Sequence, residues 1–130
     1  RRVLFRSKEY YTQEMENGSI QISEDVVASV TGMAVLEVEG VCGLSSSIGT
    51  DIAEMLGMKT LSKGVRLSTT ETGALRIDCD VVSKFGQNIF ELAKNVQENV
   101  KSSVESVTGL RVAEVNVTVC GIALPKDSKK

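Results

Sequence analysis

The chain has 130 residues, 42% of them hydrophobic and 25% charged, with a net charge of −2 and a mean hydropathy of +0.02, which describes a water-compatible globular chain. That length suits one domain burying roughly two thirds of its unfolded surface, and no apolar run approaches the roughly 18 residues of a membrane span. Histidine is absent, which removes the commonest general base, the commonest metal ligand and every His-containing triad.

Residues 1–7, Arg1-Arg2-Val3-Leu4-Phe5-Arg6-Ser7, are basic and unlike the rest of the chain. They read as an adaptor-like, non-native leader rather than a genuine basic one. No signal-peptide pattern is visible. Without the three Arg of this leader, 12 basic residues face 17 acidic ones and the net charge moves from −2 to −5. A domain of that sign is repelled on average by nucleic-acid phosphates and anionic lipid surfaces. Lys126, Lys129 and Lys130 make only a small solvating tail at 125–130.

Residues 8–17 are polar and read as a loose N-terminal segment, after which 18–124 form the single domain. Gly18 to Ile22 alternates as a short strand. Ser23 caps a helix with Glu24 and Asp25 in its first turn, where the dipole favours acids. Val26, Val27, Val30, Met33 and Ala34 form its apolar stripe. Gly32 implies close packing or an early end, and the helix should finish near Val38–Gly40. A brief strand comes next at Val41–Leu44. Residues 45–64, rich in serine and glycine, read as a flexible connection in which Thr50 or Asp51 caps one turn carrying Ile52, Met55 and Leu56.

Val65–Thr70 and Ala74–Val82 read as a hairpin closed by Glu71-Thr72-Gly73. Its second strand turns Leu75, Ile77, Cys79 and Val81 to the core and Arg76, Asp78 and Asp80 away from it. Asn88 and Glu91 form an N-x-x-E capping box for a second helix. Ile89, Leu92, Ala93, Val96, Val100, Val104 and Val107 make its buried face, and Gly109 stops it. Glu91, Lys94, Glu98, Lys101 and Glu105 lie on the opposite face at i,i+3 and i,i+4 spacing. The last strand runs to about Cys120, with Ala113, Val115, Val117 and Val119 on one face and Val112, Glu114, Asn116 and Thr118 on the other.

The order β-α-β-β-β-α-β predicts a two-layer α+β domain, both helices packed on one face of a small mixed sheet. The other face is then open, lined by Arg66, Ser68, Arg76, Asp78, Asp80, Glu114, Asn116 and Thr118, and is the first candidate interaction surface. A second is the 48–61 segment with Ile52, Met55, Leu56 and Met58.

Catalytic motifs are weak. Gly43 to Thr50 has the wrong glycine spacing for a phosphate loop and lacks its lysine. Gly40-Val41-Cys42-Gly43 fits the GXXG of nucleic-acid-clamping domains, but it comes after two glutamates and is better read as a helix-to-strand turn. Asp78 and Asp80 share a strand face without further ligands, so a salt-paired surface is the better reading than a metal or acid/base pair. Cys42, Cys79 and Cys120 are odd in number and lack C-x-x-C spacing, which argues against a disulfide framework and a zinc site and suits a reducing compartment. Cys79 falls on the core face. Cys120 falls on the open face without an activating neighbour. No catalytic, cofactor-binding or metal residue is assigned.

Several segments together resemble the alkaline shock protein family, the envelope stress response proteins of Gram-positive bacteria. They are Gly18-Ser19-Ile20, Val38-Glu39-Gly40-Val41-Cys42-Gly43-Leu44-Ser45 and Lys63-Gly64-Val65, then Val96-Gln97-Glu98-Asn99-Val100-Lys101 and the run from Thr108 to Val117. The similarity spans about 17–124; Ser45-Ser46-Ser47-Ile48-Gly49 departs from it where a more glycine-rich turn is expected. The resemblance implies a non-enzymatic cytoplasmic adaptor or scaffold in envelope homeostasis. Such a protein is held at the inner membrane surface by a membrane-anchored partner and self-associates there, without cofactor, nucleic acid or direct membrane insertion. The alternative it carries is a regulator binding a metabolic enzyme, such as one of fatty-acid synthesis. A third reading is an enzyme or small-ligand binder working through Cys120 or Asp78 and Asp80.

Overall fold

The computed structural model describes residues 5–7, 10–44 and 64–124. The elements are β1 (Phe5–Ser7), β2 (Tyr10–Met15), β3 (Gly18–Ser23), α1 (Glu24–Leu36), β4 (Val41–Leu44), β5 (Val65–Thr69), β6 (Leu75–Lys84), α2 (Ile89–Thr108) and β7 (Val112–Ala123). From β3 onward the order is the β-α-β-β-β-α-β expected of an α+β domain.

Strand β6 is the centre of a four-stranded mixed sheet. It pairs in parallel with β7 along one edge, with α2 as the crossover that parallel neighbours need. On its other edge β5 pairs antiparallel from Val65↔Cys79 to Thr69↔Leu75, and β4 continues along the same edge opposite Val81–Ser83. The β5–β6 turn closes where expected, with Thr70 Oγ1 accepting from the amides of Thr72 and Ala74 and Gly73 taking a φ of 86°.

The polar segment expected to be loose forms β2 instead. It pairs antiparallel with β3 from Tyr10↔Ser23 to Met15↔Gly18, and with β1, in a separate three-stranded sheet. The signal was Asn17 followed by Gly18, turn-favouring residues at the last two positions of the Met15–Gly18 turn, which the polarity of the flanks obscured. Fully buried Tyr11 ties this sheet to the core.

Helix α2 is built as its sequence dictates. Asn88 accepts from the Glu91 amide at 3.0 Å, and Gly109 closes the helix in the left-handed conformation at φ 76°. Leu92, Val96, Val100 and Val104 are its buried stripe, each contributing about 1.5–3 kcal/mol of hydrophobic burial. Val107, expected on that face, is 65% exposed.

Helix α1 begins at the Ser23 cap, whose Oγ accepts from the Asp25 amide, but ends at Leu36, earlier than expected. Its buried side is Val27, Ala28, Thr31, Gly32, Ala34 and Val35, whereas Val26 and Met33, expected in the stripe, are exposed. The helix is apolar on both sides, so periodicity alone does not select the packed one. Both helices share one core cluster with Leu75, Ile77, Cys79 and Val81 of β6 and Val112 and Val115 of β7, so they cover the same face of the sheet.

The alternation of β7 breaks at two irregularities. The register steps from Leu75↔Val112 to Arg76↔Glu114, which leaves Ala113 as an extra residue. Val112 is therefore buried and Ala113 exposed, the reverse of the expected parity. A second step, from Val81↔Val119 to Val82↔Gly121, bulges Cys120 and carries the strand to Ala123.

Candidate interaction surface

Register places the eight predicted residues together on the helix-free face. Ser68, Arg76 and Glu114 form one cross-strand row, Arg66, Asp78 and Asn116 the next, and Asp80 with Thr118 a third. Cross-strand neighbours lie about 4.5–5.5 Å apart, close enough for side chains to pair. They do so: the Arg66 guanidinium donates to both Asp80 oxygens at 2.8 and 3.2 Å. Arg76 Nε donates to Glu114 Oε2 at 2.7 Å. Asn116 Nδ2 bridges Asp78 Oδ1 at 2.8 Å and Glu114 Oε2 at 3.3 Å.

This pairing bears on chemistry. The Arg66 hydrogen bond and charge hold the Asp80 carboxyl below the usual carboxylate range, whereas a carboxylic acid that donates protons near neutral pH needs the opposite shift. Asp78 is engaged by Asn116. Burial, reinforced by Asp78 and Asp80, pushes the Cys79 thiol up to about 12, so it stays protonated and inert. Cys120 is exposed at the β7 bulge and its thiol donates to the Val81 carbonyl at 3.5 Å. No group of three or more His, Cys, Asp or Glu side chains among the described residues is placed to hold a metal ion. Among the same residues no helix is long and apolar enough to cross a membrane.

The second predicted surface, Ile52, Met55, Leu56 and Met58, lies outside the described residues. Other surfaces emerge only from the structure. Val26, Met33 and Leu36 leave an exposed apolar stripe on α1, and Phe85 after β6, Phe90 in the first turn of α2, and Ile122 and Leu124 at the end of β7 are exposed. A cleft of about 530 Å³ between the end of α1 and α2 is lined by Glu37, Val38, Glu39, Asn95, Glu98, Asn99 and Ser102. At it Asn99 Nδ2 donates to the Ala34 carbonyl at 2.7 Å, satisfying a carbonyl in the last turn of α1. Nothing in the residue periodicity announces that contact, which spans 65 residues of sequence.

The chain is similar to several bacterial proteins along most of its length. The uncharacterized protein Spy1614 of Streptococcus pyogenes is 37% identical over 109 residues, covering 82% of this chain and 89% of its own. The uncharacterized proteins YloU and YqhY of Bacillus subtilis are 36% and 31% identical, each over 81% of this chain and over 88% and 77% of their own. Solved structures of the MamM CTD align with a TM-score of 0.47 at 15% identity, over 75% of this chain and 95% of theirs. The family model that matches residues 12–124 is described by a cell envelope-related function; with relatives above 30% identity over four fifths of its length, the chain belongs to the alkaline shock protein family.

Proposed function

We propose that this protein is a non-enzymatic cytoplasmic adaptor or scaffold of cell-envelope homeostasis. A membrane-anchored protein docks it at the inner membrane surface through the open face of the sheet, and it self-associates there. The observation that carries this reading is the register-aligned polar face spanning β5, β6 and β7, whose side chains bond to one another across the strands: Arg66 to Asp80, Arg76 to Glu114, and Asn116 to Asp78 and Glu114. Its acidic balance disfavours direct attachment to anionic lipid, so attachment runs through protein. The family's envelope-related function supports the setting.

Crosslinked affinity capture of a tagged chain from a related Gram-positive cell tests the proposal. The expected dominant partner is a membrane protein with a cytoplasmic tail, captured by wild type and by Lys59→Glu but lost with Arg76→Glu. A soluble enzyme of lipid synthesis as the dominant partner would overturn it in favour of a metabolic regulator. Strong direct binding of the purified protein to lipid vesicles would overturn the protein bridge.

A further inference from the structure

Strand β7 spans 12 residues and, among the described residues, pairs with β6 alone. Its other edge is marked by two side-chain bonds from α2. The Val112 amide donates to Glu105 Oε2 at 2.9 Å, and Gln97 Nε2 donates to the Val115 carbonyl at 3.0 Å. Because alternate residues of a strand direct their amide and carbonyl to the same side, Val117 and Val119 present theirs to this outer edge as well. Side chains of α2 thus occupy the first half of the edge. The second half carries no charged residue and no proline from Asn116 to Ala123, and the bulge at Cys120 is its one protection.

We propose that two copies of this chain join edge to edge here, with their β7 strands antiparallel about Thr118. This rests on the self-association proposed above and gives it a surface. In that register Val117 of each copy exchanges both backbone hydrogen bonds with the partner's Val119, so the four outward-directed groups of each strand satisfy one another. Thr118 meets the partner's Thr118 as a non-hydrogen-bonded pair, about 4.5 Å between Cα atoms, and Thr–Thr is a favourable cross-strand pair. The charge pattern suits a second copy in this register, because no two charged side chains of β7 are brought opposite each other. The two Glu114 carboxylates end up about eight residues' rise apart, roughly 27 Å, well beyond the roughly 8–10 Å over which salt leaves charges interacting. The bulge at Cys120 limits the ladder on one side and Gln97 on the other, so the contact is short and reversible. It joins two polar faces into one surface twice as wide.

Disulfide trapping with sedimentation tests this register. In a background carrying Cys42→Ser and Cys120→Ser, Thr118→Cys should give a linked dimer under mild oxidation. Asn116→Cys should not, because its two sulfurs' backbones would lie about 14 Å apart, twice the span a disulfide tolerates. Val119→Pro removes an outward amide without touching the β6 ladder. With circular dichroism unchanged, it should raise the dimer dissociation constant roughly tenfold or more through the loss of two hydrogen bonds. Equal linking by both cysteine variants overturns the proposed register. A wild-type dimer that survives Val119→Pro overturns the β7 interface while leaving self-association standing. A wild type monomeric at every concentration overturns both, without bearing on the membrane partner.

Discussion

Gly40, at the turn from α1 into β4, and Gly86, after β6, offer a controlled pair of substitutions. Both hold positive φ, +99° and +94°, so alanine at either carries a backbone strain of about 1–3 kcal/mol. They differ in surroundings. A Cβ at Gly86 meets nothing within 4 Å, whereas one at Gly40 would sit 2.6 Å from Gln87 Oε1 and 2.9 Å from Leu92 Cδ1. Gln87 is exposed and its amide swings away, but Leu92 belongs to the buried stripe of α2 and cannot yield without disturbing it. Overpacking of that kind adds about 1–3 kcal/mol. The carbonyl of Gly40 also accepts the Lys84 amide at 2.8 Å, so a shift of the turn would cost the bond that ties it to β6. Gly40→Ala should therefore lose about 2–6 kcal/mol in urea-induced unfolding, and Gly86→Ala about 1–3 kcal/mol. Equal losses from the two would refute the argument that the turn is pressed against α2.

Val100→Ala, which empties a fully buried position in the centre of α2, should cost about 2–3 kcal/mol in the same assay, as two lost methyl groups plus a cavity term; a loss under about 1 kcal/mol would mean a loosely packed core. Asn88→Ala removes the N-cap bond to Glu91 and should cost about 1 kcal/mol, with Asn88→Asp largely neutral. A neutral maleimide should label Cys42 and Cys120 in the native protein and reach Cys79 only after unfolding; fast native labelling at Cys79 would contradict its burial. The Arg66–Asp80 pair lowers the folded-state pKa of Asp80, so its stabilisation is present above the unfolded carboxylate pKa of about 3.9 and is lost as pH falls through the lower folded value. With the Arg66 side chain 59% exposed, the effect should stay below about 1 kcal/mol. Unfolding of wild type and Arg66→Gln should differ slightly at pH 7 and converge in acid; a gap that widens in acid would refute the pairing.

Legibility in the sequence tracks strict periodicity. The open face could be named because β5, β6 and the middle of β7 alternate without interruption, so that Arg76, Asp78 and Asp80 fall beside Glu114, Asn116 and Thr118 once the strands are neighbours. Helix α2 was legible because its stripe, N-cap and stop signal agree. The failures have physical causes of the same kind. A single extra residue at Ala113 reverses the facing of Val112, and bulges leave no mark in an alternation that resumes two residues later. Helix α1 is apolar on two sides, so the packed side is chosen by α2 and the sheet rather than by its own pattern. The edge bonds from Gln97 and Glu105 to β7 arise only once the crossover lays α2 along that strand.

Localisation of a fluorescent fusion in a Gram-positive cell tests the docking claim most directly, with Arg76→Glu compared against wild type after both are shown to unfold at the same urea concentration. The account predicts a membrane rim for wild type and diffuse fluorescence for Arg76→Glu. A rim that persists with Arg76→Glu would take the open sheet face out of the docking surface, and diffuse fluorescence of the wild type would contradict attachment to the envelope altogether.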